Sequence, residues 1–229
     1  AISDGILEGD QAVDAARLIS SESARLDRLV SDLLDLAKLG AVDFTISAVA
    51  IDLNDFASEV CQVWGYRCQD LQVNCKCEIS VHGEFVGDPI RLRQIVDNLA
   101  ENALRLSPSG STLVIRIEQL ANSVVIEVRD SGPGLSTDDH EVAFQPGALY
   151  ERYRGVRPVG TGIGLALVGR LALRMGGTAL VGAAPEGGAC FRIEIPQRGQ
   201  PQSISVVEKH RSDGSVPHPV LNPAPNWDA

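Results

Sequence analysis

The chain has 229 residues and a formal net charge of -10, and 44% of its residues are hydrophobic and 22% are charged. These values are ordinary for a globular protein with one good core and a smaller second unit. The acidic balance argues against a nucleic-acid binder and a basic membrane-surface module, because both need positive fields. No segment approaches the roughly 20 uninterrupted apolar residues that span a bilayer. An acidic protein that binds an anionic ligand must therefore concentrate positive charge locally.

Residues 11–39 have the pattern of one long amphipathic helix. An apolar face this wide favours a helical bundle, and the alternative is a helix that packs only on its own domain. Residues 1–7 look like the end of a helix already under way, so we interpret the chain as a piece of a longer protein. The apolar face consists of a heptad-like seam, Ile19, Leu26, Leu29, Leu33 and Leu36, and a second stripe, Val30, Leu34 and Ala37.

From about residue 44 the pattern changes to mixed α and β structure. Asp88-Pro89 is typical of a helix start, with the aspartate as N-cap and the proline in the first turn. The segment 131–159 has little periodicity, so we predict a functional or disordered loop there. After Pro196 the composition predicts a disordered tail. The predicted strands are Phe44–Val49, Val73–Ile79, Leu113–Leu120, Val124–Val128, 178–184 and 189–195, and the predicted helices start near Asn54, at Pro89 (to about Leu106) and at Thr161 (to Met175).

The chain has five cysteines and no CxxC pair. Cys75 and Cys77 alternate within a predicted strand, while Cys61 and Cys68 lie seven apart on a predicted helix. Because a free cysteine behaves as a small hydrophobic residue, we predict reduced, mostly buried thiols in a cytosolic protein. A zinc site or a redox switch is the alternative.

The sequence contains four short motifs, in a fixed order, that the packing of a hydrophobic core does not require. The first is Asn98-Leu-Ala-Glu-Asn102. The two asparagines are four apart, so both carboxamides project from one face of a helix. Carboxamide oxygens are neutral, hard ligands suited to a Mg²⁺ ion that also keeps waters and phosphate oxygens. The alternative is a helix with two surface asparagines, which would lower its helix propensity at no gain.

The other three motifs are two glycine turns and an aromatic residue between them. Asp130-Ser-Gly132-Pro-Gly134 follows a predicted strand, Phe144 lies in the long loop, and Gly160-Thr-Gly-Ile-Gly-Leu165 precedes an apolar helix. The last turn would direct backbone N–H groups and the positive helix end towards phosphates. It is not a Walker loop, because no Gly-Lys-Ser/Thr follows, and no βαβ unit surrounds it as a dinucleotide-binding turn requires.

The order and spacing of these motifs resemble the N, G1, F and G2 boxes of the ATP-binding domain of sensor histidine kinases, over about residues 1–196. The resemblance implies an α+β fold, a two-layer α/β sandwich of the Bergerat type. A mixed sheet would lie under three helices, preceded by a long dimerisation-type helix. The implied units are the C-terminal part of a dimerisation and phosphotransfer hairpin (1–42), the catalytic ATP-binding domain (43–196) and the tail (197–229).

The resemblance also implies roles for single residues. Asn102 is the Mg²⁺ ligand and, together with Arg105, a catalytic residue. Asn98 is a phosphate-side contact, and Asp130 accepts a hydrogen bond from the adenine amino group. The implied cofactor-binding positions are Asn98, Asn102, Arg105, Asp130, Gly132, Gly134, Arg154, Gly160, Thr161, Gly162, Ile163, Gly164 and Leu165.

The basic loop between the glycine boxes resembles an ATP lid, with Phe144 as the aromatic residue that anchors it. Its cations, Arg152, Arg154 and Arg157, supply the local positive charge that the acidic total requires. The chain departs from the family at two positions. Leu106 stands where an aromatic residue or histidine is common, and Val159 replaces a frequent glycine before the second glycine box.

The Asn98 position distinguishes kinases from the gyrase-type and chaperone-type ATPases of the same superfamily. Those ATPases have a glutamate four residues before the Mg²⁺-binding asparagine, where it activates water. Asn98 cannot accept a proton from water. Transfer to a protein acceptor is therefore favoured over efficient ATP hydrolysis.

The resemblance locates the phosphoacceptor histidine on a helix that precedes residue 11. None of the four histidines has its sequence context: His82, His140, His210 and His218. We therefore expect the chain to bind ATP without phosphorylating itself. The expected partners are a second copy through the N-terminal helix and a response regulator receiver domain, with no nucleic acid. We expect a cytoplasmic location, with a membrane contacted only through upstream segments.

The function implied is ATP·Mg²⁺ binding and transfer of the γ-phosphoryl group to a histidine and then to an aspartate of a response regulator. Two alternatives stay open. One is an ATPase-driven conformational machine, and the other is a nucleotide-binding dimerisation module without kinase activity. Nucleotide titration and phosphate release distinguish them.

Overall fold

The computed structural model describes residues 10–40 and 45–197. Its helices are α1 (Asp10–Gly40), α2 (Leu53–Asp70), α3 (Pro89–Leu106), α4 (Thr137–Val142), α5 (Ala148–Tyr153) and α6 (Gly164–Arg174). Its strands are β1 (Val49–Asp52), β2 (Asn74–Ser80), β3 (Glu84–Gly87), β4 (Thr112–Gln119), β5 (Ser123–Arg129), β6 (Thr178–Ala183) and β7 (Ala189–Pro196).

A five-stranded mixed sheet, in the order β2-β4-β5-β7-β6, forms one layer of the fold. β2 and β4 are parallel, and the other pairs are antiparallel. Alternate residues of β4, β5 and β7, such as Ile115, Ile126 and Ile193, are fully buried in one core with the apolar faces of α2, α3 and α6. The predicted α/β sandwich, with a mixed sheet under three helices, is confirmed.

The opposite face of the sheet carries charged side chains. Arg116, Glu127 and Arg192 lie directly opposite one another on β4, β5 and β7. Arg129 is buried, and its charge is compensated by ion pairs with Glu127 at 2.8 Å and with further carboxylates of β2 and of the turn between β6 and β7. These charged side chains cover the second face of β5, so both faces are buried and the strand does not alternate between buried and exposed residues.

Two aspartates act as N-caps, one at the start of α2 and one at the start of α3. Asp52 accepts hydrogen bonds from the first-turn amides of α2, with Asn54 N at 2.8 Å. Asp88 accepts from Arg91 N at 3.1 Å, and Pro89 occupies the first turn of α3, as the sequence predicts. The second oxygen of Asp88 also accepts from Ser47 N at 3.0 Å, which ties the segment before β1 to α3.

Helix α1 docks on the sandwich through its C-terminal half. Leu39 is buried, and its carbonyl oxygen accepts a hydrogen bond from Arg174 of α6. Asp35 accepts from Gln94 Nε2 of α3 at 2.6 Å. Much of the predicted apolar face is exposed, so its role in dimerisation stays a prediction; its exposed members include Leu18, Ile19, Leu26, Val30, Leu33 and Leu34.

The structure corrects several predicted boundaries. The first strand is Val49–Asp52, not 44–49, and Phe44 lies outside the described residues. The sequence pattern also missed β3, which pairs with β1 in a two-stranded sheet and is too short for a visible period. The predicted loop contains α4 and α5, which are each six residues long. Helix α6 starts at Gly164 instead of Thr161, because Gly162 has a φ of 77° that ends the preceding turn.

The prediction that all cysteines are reduced is wrong for one pair. Cys61 of α2 and Cys77 of β2 form a disulfide with their Cα atoms 6.2 Å apart, because these two elements pack on each other. Cys68, Cys75 and Cys190 are free thiols.

The division into three units stays a prediction, and residues 198–229 lie outside the described part of the chain. Within the described ranges, none of the helices is long and apolar enough to cross a membrane.

The turn between α6 and β6 gives a direct test of this packing. A Cβ atom at Gly177 would overlap the backbone carbonyl oxygen of Glu194 and lie 2.7 Å from Ile195 Cδ1. Gly177→Ala should therefore lower the free energy of unfolding by about 1–3 kcal/mol. Gly65, in the middle of α2, has open space around its Cβ position. Gly65→Ala should raise the free energy by about 0.5–1 kcal/mol, because alanine is the better helix former.

Urea denaturation followed by circular dichroism measures both effects. Shifts of the two variants in the same direction would contradict the packing of this turn on β7.

Candidate functional site

A cleft of about 900 Å³, partly open to solvent, lies between α3, the turn after β5, the segment with α4 and α5, and the start of α6. Of the predicted site residues, the structure brings together Asn98, Asn102, Arg105, Asp130, Gly134, Gly160, Thr161, Gly162, Gly164 and Leu165 in its lining. These positions are up to 67 residues apart in sequence and meet only in the folded chain.

One wall of the cleft is the polar face of α3. Asn98 donates from Nδ2 to Gln94 O at 2.8 Å, which fixes the orientation of its carboxamide. A Cβ atom at Gly164 would lie 2.7 Å from Asn98 Oδ1, and one at Gly160 would overlap the guanidinium group of Arg105. Glycine at these two positions therefore allows the second glycine turn to lie directly on the side chains of α3.

Asp130 is buried at the base of the cleft. Its Oδ1 atom accepts from Gly132 N at 2.8 Å and Ala189 N at 3.2 Å. Its Oδ2 atom has no hydrogen-bond partner among the described residues. Burial raises the pKa of Asp130, and the two backbone donors partly oppose that rise. A buried acceptor of this kind is costly unless a donor reaches it, so Oδ2 marks a position for a ligand donor.

Gly132 and Gly188 pack directly against this carboxylate. A Cβ atom at Gly132 would lie 2.9 Å from Asp130 Oδ1, and one at Gly188 would overlap the same atom and the Asp130 backbone. Gly132 supports Asp130 from behind and does not line the cleft. Gly188 was missed in the sequence, where Gly187-Gly188 reads as an ordinary turn between two strands.

The segment between the glycine turns is organised by the buried carboxylate of Asp139. It forms a capping box with Ser136 at the start of α4. It also accepts from Arg152 Nη1 at 2.5 Å and from the hydroxyl of Tyr153, both on α5. Burial alone would raise the pKa of Asp139, but the hydrogen bonds from Tyr153, Ser136 and Arg152 hold it well below its usual range. The same carboxylate raises the pKa of Tyr153.

Arg157 and Phe144 attach this segment to the rest of the site. Arg157 donates from Nη1 to Gly134 O at 2.9 Å, and its guanidinium group lies 3.5 Å from the ring centre of Tyr153. Phe144 packs edge-on against Phe191 of β7, with ring centres 6.3 Å apart. The segment is thus held at its aromatic start and at its basic end, over the cleft.

Besides Gly132, two predicted residues lie outside the cleft lining. Arg154 is exposed, with Nη1 3.8 Å from Glu151 Oε2, and Ile163 does not line the cleft. The cation that reaches the cleft from the basic loop is Arg157. The role of Arg154 as a ligand stays a prediction.

Helix α1 contributes a lining residue that the motifs did not indicate. Asp32 Oδ2 accepts from Thr161 Oγ1 at 3.2 Å, and Thr161 Oγ1 also accepts from Ile163 N at 3.3 Å. No local sequence signal marks Asp32, since it lies among the ordinary polar positions of an amphipathic helix.

Comparison with known proteins gives the family. Residues 87–199 match the family described as Histidine kinase-, DNA gyrase B-, and HSP90-like ATPase. The chain is 27% identical over 190 residues to the sensor-like histidine kinase SenX3 of Mycolicibacterium smegmatis, covering 83% of this chain and 50% of that protein. It is 30% identical over 190 residues to the sensor histidine kinase ZraS of Escherichia coli O157:H7, covering 82% and 39%. The chain therefore spans half or less of the length of these relatives.

Solved structures agree with this family. Full-length ShkA in complex with AMPPNP matches with a TM-score of 0.69 and 28% identity, over 83% of this chain and 40% of that one. The histidine kinase ThkA in complex with the response regulator protein TrrA matches in fold, with a TM-score of 0.67 and 20% identity over 84% and 53%. Residues 87–199 therefore form a domain of the histidine kinase-, DNA gyrase B- and HSP90-like ATPase family, and the sequence and fold of the chain are similar to those of histidine kinases.

Proposed function

We propose that this chain is the ATP-binding catalytic portion of a sensor histidine kinase. It transfers the γ-phosphoryl group of ATP to a histidine, from which the group passes to an aspartate of a response regulator. The observation that supports the proposal most strongly is the composition of the cleft. The buried Oδ2 atom of Asp130, which has no hydrogen-bond partner among the described residues, lies at one end. At the other end, Asn98, Asn102 and Arg105 of α3 lie beside a glycine turn.

Asp130 binds the adenine end of the nucleotide. Its Oδ1 atom is occupied by two backbone amides, so Oδ2 is the atom that accepts from the exocyclic amino group of adenine. A guanine ring has a carbonyl oxygen at that position and would leave the carboxylate unpaired. The apolar side chains of Leu135, Leu149 and Phe191 line the cleft and are suited to the base.

The phosphate end lies where the second glycine turn meets α3. The turn precedes the 11-residue helix α6, so its N–H groups and the helix N-terminus favour anionic oxygens. Arg105 and Arg157 also line the cleft and bring positive charge into an otherwise acidic chain. In phosphoryl transfer a protein mainly positions the groups and neutralises charge, and these residues are suited to both tasks.

Asn102 is the residue that would hold a Mg²⁺ ion. Within the described ranges, no cluster of three or more His, Cys, Asp or Glu side chains could bind a metal. A neutral carboxamide with waters and phosphate oxygens is a donor set that Mg²⁺ accepts, so the residues present fit the ion. When bound, the ion would neutralise charge on the phosphate oxygens.

Asn98 favours transfer over hydrolysis. It lies four residues before Asn102, its amide is engaged with Gln94 O, and it cannot act as a base towards water. An ATPase-driven machine would need a base at that position. A nucleotide-binding module without activity would still bind ATP, and transfer of label to a separately supplied acceptor histidine distinguishes it.

The partners follow from the same proposal. The exposed apolar face of α1 would pair with a second copy, and a receiver domain would accept the phosphoryl group, consistent with the complex of ThkA with a response regulator protein. We place the chain in the cytoplasm, where ATP is available.

Calorimetric titration with ATP, with and without Mg²⁺, tests the proposal, followed by incubation with γ-labelled ATP. We expect saturable binding that Mg²⁺ tightens, no label on the four histidines of this chain, and slow phosphate release. Sustained phosphate release at many turnovers would favour the ATPase. Failure to bind ATP in a folded sample would refute the site.

The first prediction concerns the adenine contact. Asp130→Asn replaces the free acceptor with a donor or forces a flip that breaks the bonds from Gly132 and Ala189. ATP affinity should fall by about 1–3 kcal/mol, the cost of an unpaired buried polar group, and preference for ATP over GTP should shrink. The matched control is Asp138→Asn, an exposed aspartate of α4. Calorimetry on both variants measures the effect, and an unchanged Kd for Asp130→Asn would contradict the pose.

The second prediction concerns the metal. Asn102→Ala should remove the tightening of ATP binding by Mg²⁺ while leaving metal-free binding largely intact, because only the metal ligand is lost. Asn122→Ala, in the exposed turn between β4 and β5, is the control. The readout is the ratio of Kd values with and without Mg²⁺. A ratio equal to that of the unmodified chain would exclude Asn102 as the ligand.

The third prediction concerns the lid. Asp139→Asn should lower the free energy of unfolding by about 1–3 kcal/mol, because a buried acceptor of several hydrogen bonds is replaced by a group that also donates. Backbone amides in 144–158 should exchange hydrogen faster, while those of β5 keep their protection.

The depressed pKa of Asp139 also predicts how stability depends on pH. The stabilisation from ionised Asp139 is fully present well above a pH of about 3.9, the pKa of an aspartate in the unfolded chain. It is lost progressively as the pH falls from there through the lower pKa of the folded state.

Hydrogen exchange at neutral pH and thermal unfolding between about pH 3 and 6 check this. Asp138→Asn should leave both unchanged. Equal exchange in the two variants would show that Asp139 does not hold the lid.

A further inference from the structure

Four of the five cysteines lie along one contact, where α2 packs on β2. Cys61 and Cys68 are seven residues apart on α2, so they share one face of the helix two turns apart. Cys75 and Cys77 are two residues apart on β2 and point to the same side of the strand. Cys61 and Cys77 are already joined as a disulfide.

The remaining two cysteines form a second pair with free thiols. Cys68 and Cys75 lie on the same α2–β2 contact as the bonded pair, nearer to the turn that joins the two elements, and their thiols interact. Cys68 is fully buried, while Cys75 is partly exposed on a strand at the edge of the sheet. The turn between them is fixed by a hydrogen bond from Val73 N to Cys68 O at 2.9 Å. The two cysteines therefore occupy neighbouring positions of one contact, and Cys75 is the more exposed of them.

We propose that Cys68 and Cys75 form a site of reversible thiol oxidation, in which a hydroperoxide converts the pair to a second disulfide between α2 and β2. The inference concerns α2 and β2 and does not depend on the nucleotide site. It extends an existing crosslink at the same contact rather than creating an isolated one.

The reaction takes place in two steps. The Cys75 thiolate attacks hydrogen peroxide, which gives a sulfenic acid at Cys75 and releases hydroxide. The Cys68 sulfur then attacks the sulfenic sulfur; an S–S bond forms, the S–O bond breaks, and the oxygen leaves as water after taking up a proton. In total the two thiols lose two protons and two electrons, and the peroxide is reduced to two waters.

The environment of each thiol agrees with this order. The interaction with Cys68 lowers the pKa of Cys75, which favours the nucleophilic thiolate at the more exposed position. The interaction with Cys75, together with burial, raises the pKa of Cys68, so that it acts second. Cys190 lies alone on β7, and burial raises its pKa to about 11, so it reacts slowly and has no resolving partner.

Peptide mapping tests the proposal without reference to activity. Trypsin cuts after Arg67 and Lys76, so the peptide 68–76 contains both Cys68 and Cys75 and no other cysteine. The full chain, purified without reductant, is treated with a few equivalents of hydrogen peroxide, denatured, alkylated and digested. Before oxidation this peptide should carry two alkyl groups. Afterwards it should carry none and be lighter than the free dithiol by two hydrogens, while the Cys190 peptide stays alkylated.

Three variants sharpen the test. Cys68→Ser should stop the reaction at a Cys75 sulfenic acid, which dimedone traps. Cys75→Ser should leave Cys68 alkylatable, and Cys190→Ser should leave the oxidation of the pair unchanged. If a variant does not fold, the mass of peptide 68–76 from the unmodified chain decides alone.

Two outcomes would overturn the inference. One is a peptide 68–76 that keeps both alkyl groups at peroxide doses that oxidise Cys190. The other is a peptide crosslinked to Cys61 or Cys77, which would mean exchange with the existing disulfide instead of a separate pair.

Discussion

The carboxylate of Asp130 is the constraint around which the cleft is built. Its backbone pairs with β7, through Asp130 N to Ala189 O at 3.0 Å and Gly188 N to Asp130 O at 3.1 Å. Its Oδ1 atom accepts two more backbone amides. A side chain held by both the turn after β5 and the turn before β7 cannot rotate freely. Its second oxygen therefore keeps one direction, and specificity for a donor results from rigidity rather than from the carboxylate alone.

The second constraint is the lack of a side chain at two positions of the second glycine turn. Gly160 and Gly164 let the backbone approach Arg105 and Asn98 at distances that a Cβ atom would forbid. The two walls of the cleft therefore meet through backbone on one side and polar side chains on the other. This leaves N–H groups, a guanidinium group and carboxamides facing the same space, which is what an anionic, metal-bound ligand requires.

Features that depend on local chemistry could be predicted from the sequence, and features that depend on distant contacts could not. The Asp88-Pro89 helix start follows from capping alone, and α3 ends at Leu106, where the pattern placed its end. The short β3 strand, the Cys61–Cys77 disulfide and the Asp32 contact arise from tertiary packing, which leaves no periodic trace. The glycine motifs predicted turns that line the cleft, but not that Gly188 packs against Asp130.

The connection between β2 and β4 has a consequence for how the site comes into being. These two strands are parallel, and the crossover that joins them consists of β3 and α3. The polar face of α3 therefore acquires its position only when strands more than 30 residues apart in sequence have paired. Such long-range pairings form late in folding, because loop closure must be completed first. A half-folded chain has no partial version of the cleft, so ligand occupancy reports on the whole sandwich and shifts its unfolding equilibrium by mass action.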